Sequence, residues 1–162
     1  MKIANKLLLT VLIFSIGAFS ACGKPRLFGK DMKVNPIIQN FPIDPKLAFQ
    51  SAKEALAYNG YNVQTEDPKL GTLETHWQPS TSDSHYVNFF DRQDRGTVGS
   101  YYKLILKITP RGNGGSQVEI SSLAKSIVSN LESTGIEEEK VLKKVADYTR
   151  KQNIEVTNVG IQ

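Results

Sequence analysis

The sequence is poor in side chains that bind metals or form covalent cross-links. Its 162 residues include one cysteine and two histidines. One cysteine excludes an intrachain disulfide framework and zinc sites built from several thiolates, and two histidines exclude a three-histidine metal site within one chain. Apolar residues make up 40% of the chain, which is enough for one core and too little for a multi-span membrane protein. The length predicts one domain of ordinary size, or one domain with appendages.

The single long apolar run lies at the N-terminus and predicts export. Lys2 and Lys6 flank its start, and residues 7–19 are almost wholly apolar. This is the pattern of a secretory signal peptide, too short to span a bilayer comfortably as a mature helix. The run ends in Phe19-Ser20-Ala21-Cys22, which resembles the lipobox of bacterial lipoproteins. That resemblance implies cleavage after residue 21 and acylation of Cys22 with chains such as palmitate; an ordinary secretory signal is the alternative.

The residue after Cys22 and the net charge after cleavage indicate where the protein is located and what it binds. By resemblance to Gram-negative lipoproteins, Gly23 favours the outer membrane, with the domain in the periplasm; a host with one membrane is the alternative. Cleavage removes Lys2 and Lys6 and leaves 18 basic against 16 acidic residues, a net charge of +2. A near-neutral exported domain is not expected to bind nucleic acid. The membrane is the expected partner, held through the acyl chains.

Residues 22–43 are predicted to be the lipidated N-terminus and a flexible tether. The segment contains four basic residues and three prolines without a sustained period, and about 20 such residues span roughly 25 Å. The basic residues can favour anionic headgroups, or the linker can simply be solvated. Residues 36–41 are apolar enough to form a short strand. We expect it at the edge of a sheet, because prolines forbid a central position.

Residues 44–162 are predicted to form a single α+β domain. Asp44-Pro45 starts one helix that ends at Gly60, and Thr134 with Glu137 forms a capping box that starts a second. Between them, alternation predicts strands with Leu73, Thr75 and Trp77 on the buried face, and a hairpin over residues 102–124. Residues 154–159 are predicted to be a final strand. We expect an antiparallel β-sheet of four to six strands with two α-helices packed on one face, a helix-grip-like arrangement.

Three patterns suggest chemistry, and each favours a structural role. Ser82-Asp83-Ser84-His85 contains the residue types of a serine-hydrolase triad, but four neighbours in a loop do not converge from separate elements. Glu74 and His76 share one strand face and supply at most two metal ligands, to which His85 or Asp91 could add. The glycines of residues 112–115 connect two strands and lack the helix of a phosphate loop. We expect no catalytic, cofactor-binding or metal-binding residues.

One polar segment, residues 79–100, contains an aromatic cluster. Two arginines follow the aromatic residues, and the set that we predict to bind a partner protein is Tyr86, Phe89, Phe90, Arg92 and Arg95. Aromatic side chains rimmed by arginine are typical of interfaces. The alternative is that these residues fold back onto the core or form another short strand.

From about Asp44 onward the sequence resembles the helix-grip domain of BamC-like lipoproteins of the outer-membrane β-barrel assembly machinery. The resemblance is carried by residues 55–61 (Ala-Leu-Ala-Tyr-Asn-Gly-Tyr), the turn 67–71, the strand 72–77, the hairpin and the late helix. It implies a non-enzymatic, lipid-anchored protein-interaction module that assists envelope assembly. The alternative is a lipoprotein that binds lipid or lipopolysaccharide in a cavity between helix and sheet.

Overall fold

The computed structural model describes residue 27 and residues 29–89, 92–94, 99–128 and 130–157. Within them, seven strands form the main antiparallel sheet. They are β1 (Lys30–Lys33), β2 (Ile37–Phe41), β3 (Val63–Asp67), β4 (Thr72–Thr75), β5 (Gln78–Pro79), β8 (Tyr101–Pro110) and β9 (Ser116–Ser126). A second sheet of three strands, here called the small sheet, contains β6 (His85–Phe89), β7 (Arg92–Asp94) and β10 (Leu131–Ser133).

The hairpin of β8 and β9 is the centre of the main sheet. The whole of β8 pairs with β9 from Ser116 to Lys125, and a short 3-10 helix at Gly112–Gly114 connects the two strands. Strands β2 and β1 pair with successive parts of β9, while β4 and β5 pair with successive parts of β8, and β3 lies beyond β4. The seven strands thus occupy five positions across the sheet, and the predicted hairpin is confirmed.

Helix α1 (Pro45–Tyr58) forms where the sequence predicts it. The Asp44 carboxylate accepts a hydrogen bond of 2.8 Å from the backbone amide of Lys46, and Gly60, with φ of +81°, follows the last turn. The buried stripe of α1 consists of small residues and one leucine, which lets the helix approach the sheet closely: Ala48, Ser51, Ala52, Ala55 and Leu56. Both predicted ends of this helix are confirmed.

Helix α2 (Ile136–Thr157) is longer than the sequence predicts. Residues 154–157 continue the helix, so the predicted final strand over 154–159 is wrong where the structure describes it. Adding residues to an existing helix is cheap once it is nucleated, and α2 packs along α1. The β-branched residues at the end therefore stay helical.

The predicted fold class is confirmed. Both helices pack on the same face of the main sheet, where alternate residues of β8 and β9 are fully buried, as for Leu104, Leu106, Val118 and Ile120. The sheet has seven described strands rather than four to six, because two short strands in line flank each side of the central hairpin. None of the described helices is long and apolar enough to cross a membrane.

The folded part begins earlier than residue 44. Strands β1 and β2 lie in the segment assigned to a tether, and both pair with β9. Strand β2 confirms the predicted edge strand, whereas the predicted start of the domain at residue 44 needs correction to Lys30 or before. The boundary was obscured because edge strands take their hydrogen bonds from a distant strand and need little periodicity of their own.

Trp77 lies on the face opposite to the predicted one. Strand β4 ends at Thr75, and Trp77 lies in the break before β5. Its indole is near the ammonium groups of Lys103 and Lys125, each 5.6 Å from the ring centroid. Leu73 and Thr75 remain buried under the helices. The prediction for Trp77 was wrong because alternation holds only along an uninterrupted strand.

Candidate interaction site

The segment 79–100 contains two strands of the small sheet, in the order β10-β6-β7. Tyr86 lies on β6, and the Cα atoms of Phe89 and Arg92 are register partners on β6 and β7. Phe90 and Arg95, which the sequence also places in the partner-binding set, lie outside the described residues. The structure therefore favours the short-strand alternative for the backbone and brings three predicted residues onto one hairpin.

The outward side of the small sheet carries a tyrosine–glutamate pair. Tyr86 is the register partner of Glu132 on β10, and its hydroxyl donates a hydrogen bond of 2.7 Å to the Glu132 carboxylate. This hydrogen bond raises the pKa of Tyr86. The exposed amide of Asn88 donates to the other carboxylate oxygen of Glu132 at 3.5 Å. The result is a polar surface with one aromatic ring fixed in place.

The inward side of the small sheet is anchored by His85. The imidazole is 1% exposed, its ring centroid lies 4.9 Å from that of Tyr102, and neither ring nitrogen has a hydrogen-bond partner. Burial lowers the pKa of His85 from 6.5 to about 4. A neutral ring is thus used as a packing group, and Val87 on the same strand packs against the main core.

Beneath His85, a chain of hydrogen bonds crosses from sheet to helix. The Tyr61 hydroxyl donates to Glu137 at 2.8 Å and lies 2.8 Å from the Tyr102 hydroxyl, which therefore donates to Tyr61. Lys140 donates to the same Glu137 carboxylate at 2.7 Å. Desolvation, with these contacts, raises the pKa of Tyr61 far above its ordinary range, and desolvation also raises the pKa of Tyr102. Both phenols stay protonated and serve to join α2 to the sheet.

The start of α2 is fastened to the turn that precedes β6. The Thr134 hydroxyl donates to the backbone carbonyl of Asp83, and the Ser133 hydroxyl donates to the buried Glu138 carboxylate at 2.8 Å. The predicted capping box of Thr134 and Glu137 is wrong, because Glu137 is occupied by Tyr61. These contacts hold the small sheet against the rest of the domain.

The residues considered for catalysis do not assemble a site. The Ser84 hydroxyl bonds to the backbone of Thr81, and neither ring nitrogen of His85 has a hydrogen-bond partner, so no hydrogen bond joins the serine hydroxyl to the imidazole. The Glu74 carboxylate, considered with His76 as a metal ligand, forms an ion pair of 2.5 Å with Lys103. Among the described residues, no three His, Cys, Asp or Glu side chains are placed to hold a metal ion. Asp91 and Cys22 lie outside those residues.

A concave surface, here called the terminal groove, lies where α1 begins. Its volume is about 340 Å³. Its apolar lining comes from the start of α1, the β3–β4 turn and the end of β8, and includes Phe49, Leu70 and Ile108, with Lys46 and Lys69 also contributing. No sequence motif pointed to this groove, because its parts come from three distant segments.

Comparison with known proteins does not assign the chain to a family. No protein-family model matches it, and no curated protein matches it. Among solved structures, Ara h 8.0201 is 8% identical with a TM-score of 0.48, covering 75% of this chain and 99% of that one. The protein TTHA0849 from Thermus thermophilus is 12% identical with a TM-score of 0.38 over 75% and 99% of the two chains. An uncharacterised protein from Rhizobium leguminosarum is 10% identical with a TM-score of 0.38 over 75% and 96%. These likenesses concern the fold alone.

Proposed function

We propose that this protein is a lipid-anchored, non-enzymatic interaction module of the bacterial cell envelope. Acyl chains on Cys22 hold the domain at the outer membrane, facing the periplasm, and a partner protein binds at the small sheet. The lipobox-like residues before Cys22 support the anchor, and the resemblance to BamC-like lipoproteins supports a role in envelope assembly. The partner is then an envelope protein that presents an extended segment.

The observation that carries this proposal is that β7 lies at an edge of the small sheet. In the part of the chain that the structure describes, β7 pairs with β6 on one side, and no strand pairs with its other side. An unpaired strand edge is a template for a strand from another chain.

The support beneath the small sheet favours binding. His85 and Val87 pack inward, and the turn before β6 is bonded to the start of α2. A hairpin held in this way loses little conformational freedom when a partner adds to it. Tyr86 is already fixed by Glu132, so its ring supplies contact area at a low entropic cost.

Site-specific photo-crosslinking in the host's cells tests the binding surface. A photoreactive residue replaces the exposed Asn88 in the full chain, and we expect a discrete adduct with an envelope protein. Phe89→Ala with Phe90→Ala should weaken that adduct, whereas Leu70→Ala, an exposed apolar site at the other end of the main sheet, should not. An adduct that survives the double change contradicts binding at the small sheet.

The anchor has its own test. Cys22→Ser should abolish incorporation of labelled palmitate and move the protein from the membrane fraction to the soluble fraction. A variant that stays in the membrane fraction shows that another feature holds the protein there.

The terminal groove favours a second candidate function, the binding of an anionic amphiphile such as a lipid. Its volume is within the range of small-molecule sites, its floor is apolar, and two lysines contribute to its lining. Native mass spectrometry of protein purified from cells should then show a bound lipid that Lys46→Glu with Lys69→Glu removes. Protein that carries no lipid, or loses none in this variant, contradicts this candidate.

A further inference from the structure

The chain joins the main sheet at one identifiable end. Lys30 is the register partner of Ser126, the last residue of β9, and Gly29 lies against the same residue. A Cβ atom added at Gly29 would meet the Ser126 carbonyl oxygen, so the two backbones are in direct contact. The segment that follows Cys22 therefore reaches the fold beside Ile127 and Val128, which come directly after β9.

That end of the sheet carries exposed apolar side chains next to lysine. Ile127 is 73% exposed and Val128 is 42% exposed, and together with Lys30 they line one shallow concavity. The Ser126 hydroxyl accepts a hydrogen bond of 3.0 Å from the Val128 amide, which fixes the turn. We call Lys30, Ile127 and Val128 the anchor-side patch. Apolar groups beside an ammonium group suit the boundary between lipid headgroups and acyl chains.

We propose that the anchor-side patch rests on the membrane and orients the domain with this end toward the bilayer. The inference depends on the proposed acylation of Cys22. Seven residues separate Cys22 from Lys30, and seven residues reach at most about 25 Å when fully extended. Strand β9 runs through 11 residues, roughly 35 Å, to the opposite end of the sheet. The short linker thus holds the anchor-side patch at the membrane and keeps the terminal groove away from it.

The anchor-side patch is small, but it can orient the domain because the acyl chains already hold the protein at the membrane. A few exposed side chains would not hold a free protein on a bilayer. A domain already tethered by acyl chains meets the surface at a high effective concentration, so a weak contact is enough to select one orientation. The carboxylate of Asp31 lines the same concavity, but it pairs with Lys125 at 3.4 Å. Lys30 and the nearby exposed Lys33 therefore leave this end of the sheet positively charged, which favours anionic headgroups. The occupant of the patch is therefore the headgroup region of an anionic bilayer.

Depth-dependent fluorescence quenching tests this orientation. The full lipidated chain is reconstituted in vesicles of phosphatidylethanolamine and phosphatidylglycerol with brominated acyl chains. Because Cys22 is the one cysteine of the chain and is acylated, Ile127→Cys supplies a unique thiol for a bimane label. Arg111→Cys, at the exposed connection between β8 and β9 and outside the lining of the terminal groove, supplies the control. We expect loss of emission from the label at position 127 and none at position 111. Val128→Cys provides a second label position in the same patch.

The charge of the patch is tested with the label at position 127. Lys30→Glu should reduce the quenching in these vesicles, whereas Arg111→Glu, at the other end of the sheet and outside the lining of the terminal groove, should leave it unchanged. Protein that floats with the vesicles and shows equal quenching at positions 127 and 111 overturns the orientation but leaves the anchor intact. Protein that neither floats nor carries acyl chains overturns the proposed anchor and this inference together.

Discussion

At the scale of single residues, the buried polar groups differ in how they are satisfied. Tyr61, Tyr102 and Glu137 form a continuous chain of hydrogen bonds, whereas the two ring nitrogens of His85 have no partner. A buried polar group without a partner costs free energy that the neighbouring packing must offset. For a histidine this cost rises steeply with protonation, because a buried charge costs far more than a neutral ring.

His85 should make the stability of the protein depend on pH. Its pKa is about 4 in the folded state and 6.5, the ordinary value of a histidine, in the unfolded chain. As the pH falls below 6.5, the unfolded chain binds the proton before the folded protein does. The free energy of unfolding is therefore highest above pH 6.5 and declines toward pH 4. We expect a loss of about 3 kcal/mol in the free energy of unfolding between pH 7 and pH 4 from this residue. Urea unfolding at a series of pH values measures it.

The matched variant for this measurement is His85→Phe. A phenyl ring keeps the contact with Tyr102, removes the unpartnered nitrogens and does not titrate. Carboxylates that titrate in the same range are common to both proteins, so the difference between the two pH profiles isolates His85. Parallel profiles would show that the imidazole reaches solvent before it is protonated.

At the scale of elements, local signals predicted the ends of α1 and the β8–β9 hairpin well. Asp44 and Pro45 start the helix, and Gly60 ends it, through contacts with residues close in sequence. In the hairpin, two long alternating strands joined by a short connection fix which residues pair. Errors arose where a distant partner decides the outcome. Trp77 lies in the break between β4 and β5. The Glu137 carboxylate accepts a hydrogen bond from Tyr61, which is 76 residues away in sequence, instead of capping α2. The inward role of His85 and the terminal groove were not predicted for the same reason.

Substituting two glycines, one after α1 and one before β4, distinguishes the cost of backbone strain from the cost of a steric clash. Gly60 and Gly71 both have positive φ, +81° and +67°, but a Cβ at Gly60 meets nothing within 4 Å, whereas one at Gly71 would collide with the Ile108 carbonyl oxygen. Gly60→Ala should cost about 1–2 kcal/mol from the left-handed conformation alone. Gly71→Ala should cost more, about 3 kcal/mol or above, since β4 and β8 must separate locally. Thermal unfolding compares the two, and equal losses would contradict the contact at Gly71.

At the scale of the whole molecule, the extent of the fold was the hardest feature to predict. Three of the four residues of β1 are charged, Pro36 separates β1 from the short apolar pattern of β2, and alone the two segments resemble a linker. Their stability comes from β9, which is 11 residues long and supplies a complete ladder for both. No local signal reports such a partner, because the pairing joins segments that lie far apart in the sequence.

The contribution of β1 and β2 can be measured by shortening the chain. A protein that begins at Ile43 lacks both strands and Phe41, a core residue that is 5% exposed, and it leaves one edge of β9 open. Loss of a buried phenylalanine costs about 3–5 kcal/mol, and an open edge of a β-rich strand promotes association. We therefore expect a much lower unfolding midpoint and a tendency to aggregate, measured by thermal unfolding and size-exclusion chromatography. A protein that begins at Gly29 is the control and should match a Cys22→Ser chain that begins at residue 22. If the two shortened proteins unfold at the same temperature, β1 and β2 add nothing to the fold, and the segment before residue 44 is the flexible tether that its composition predicted.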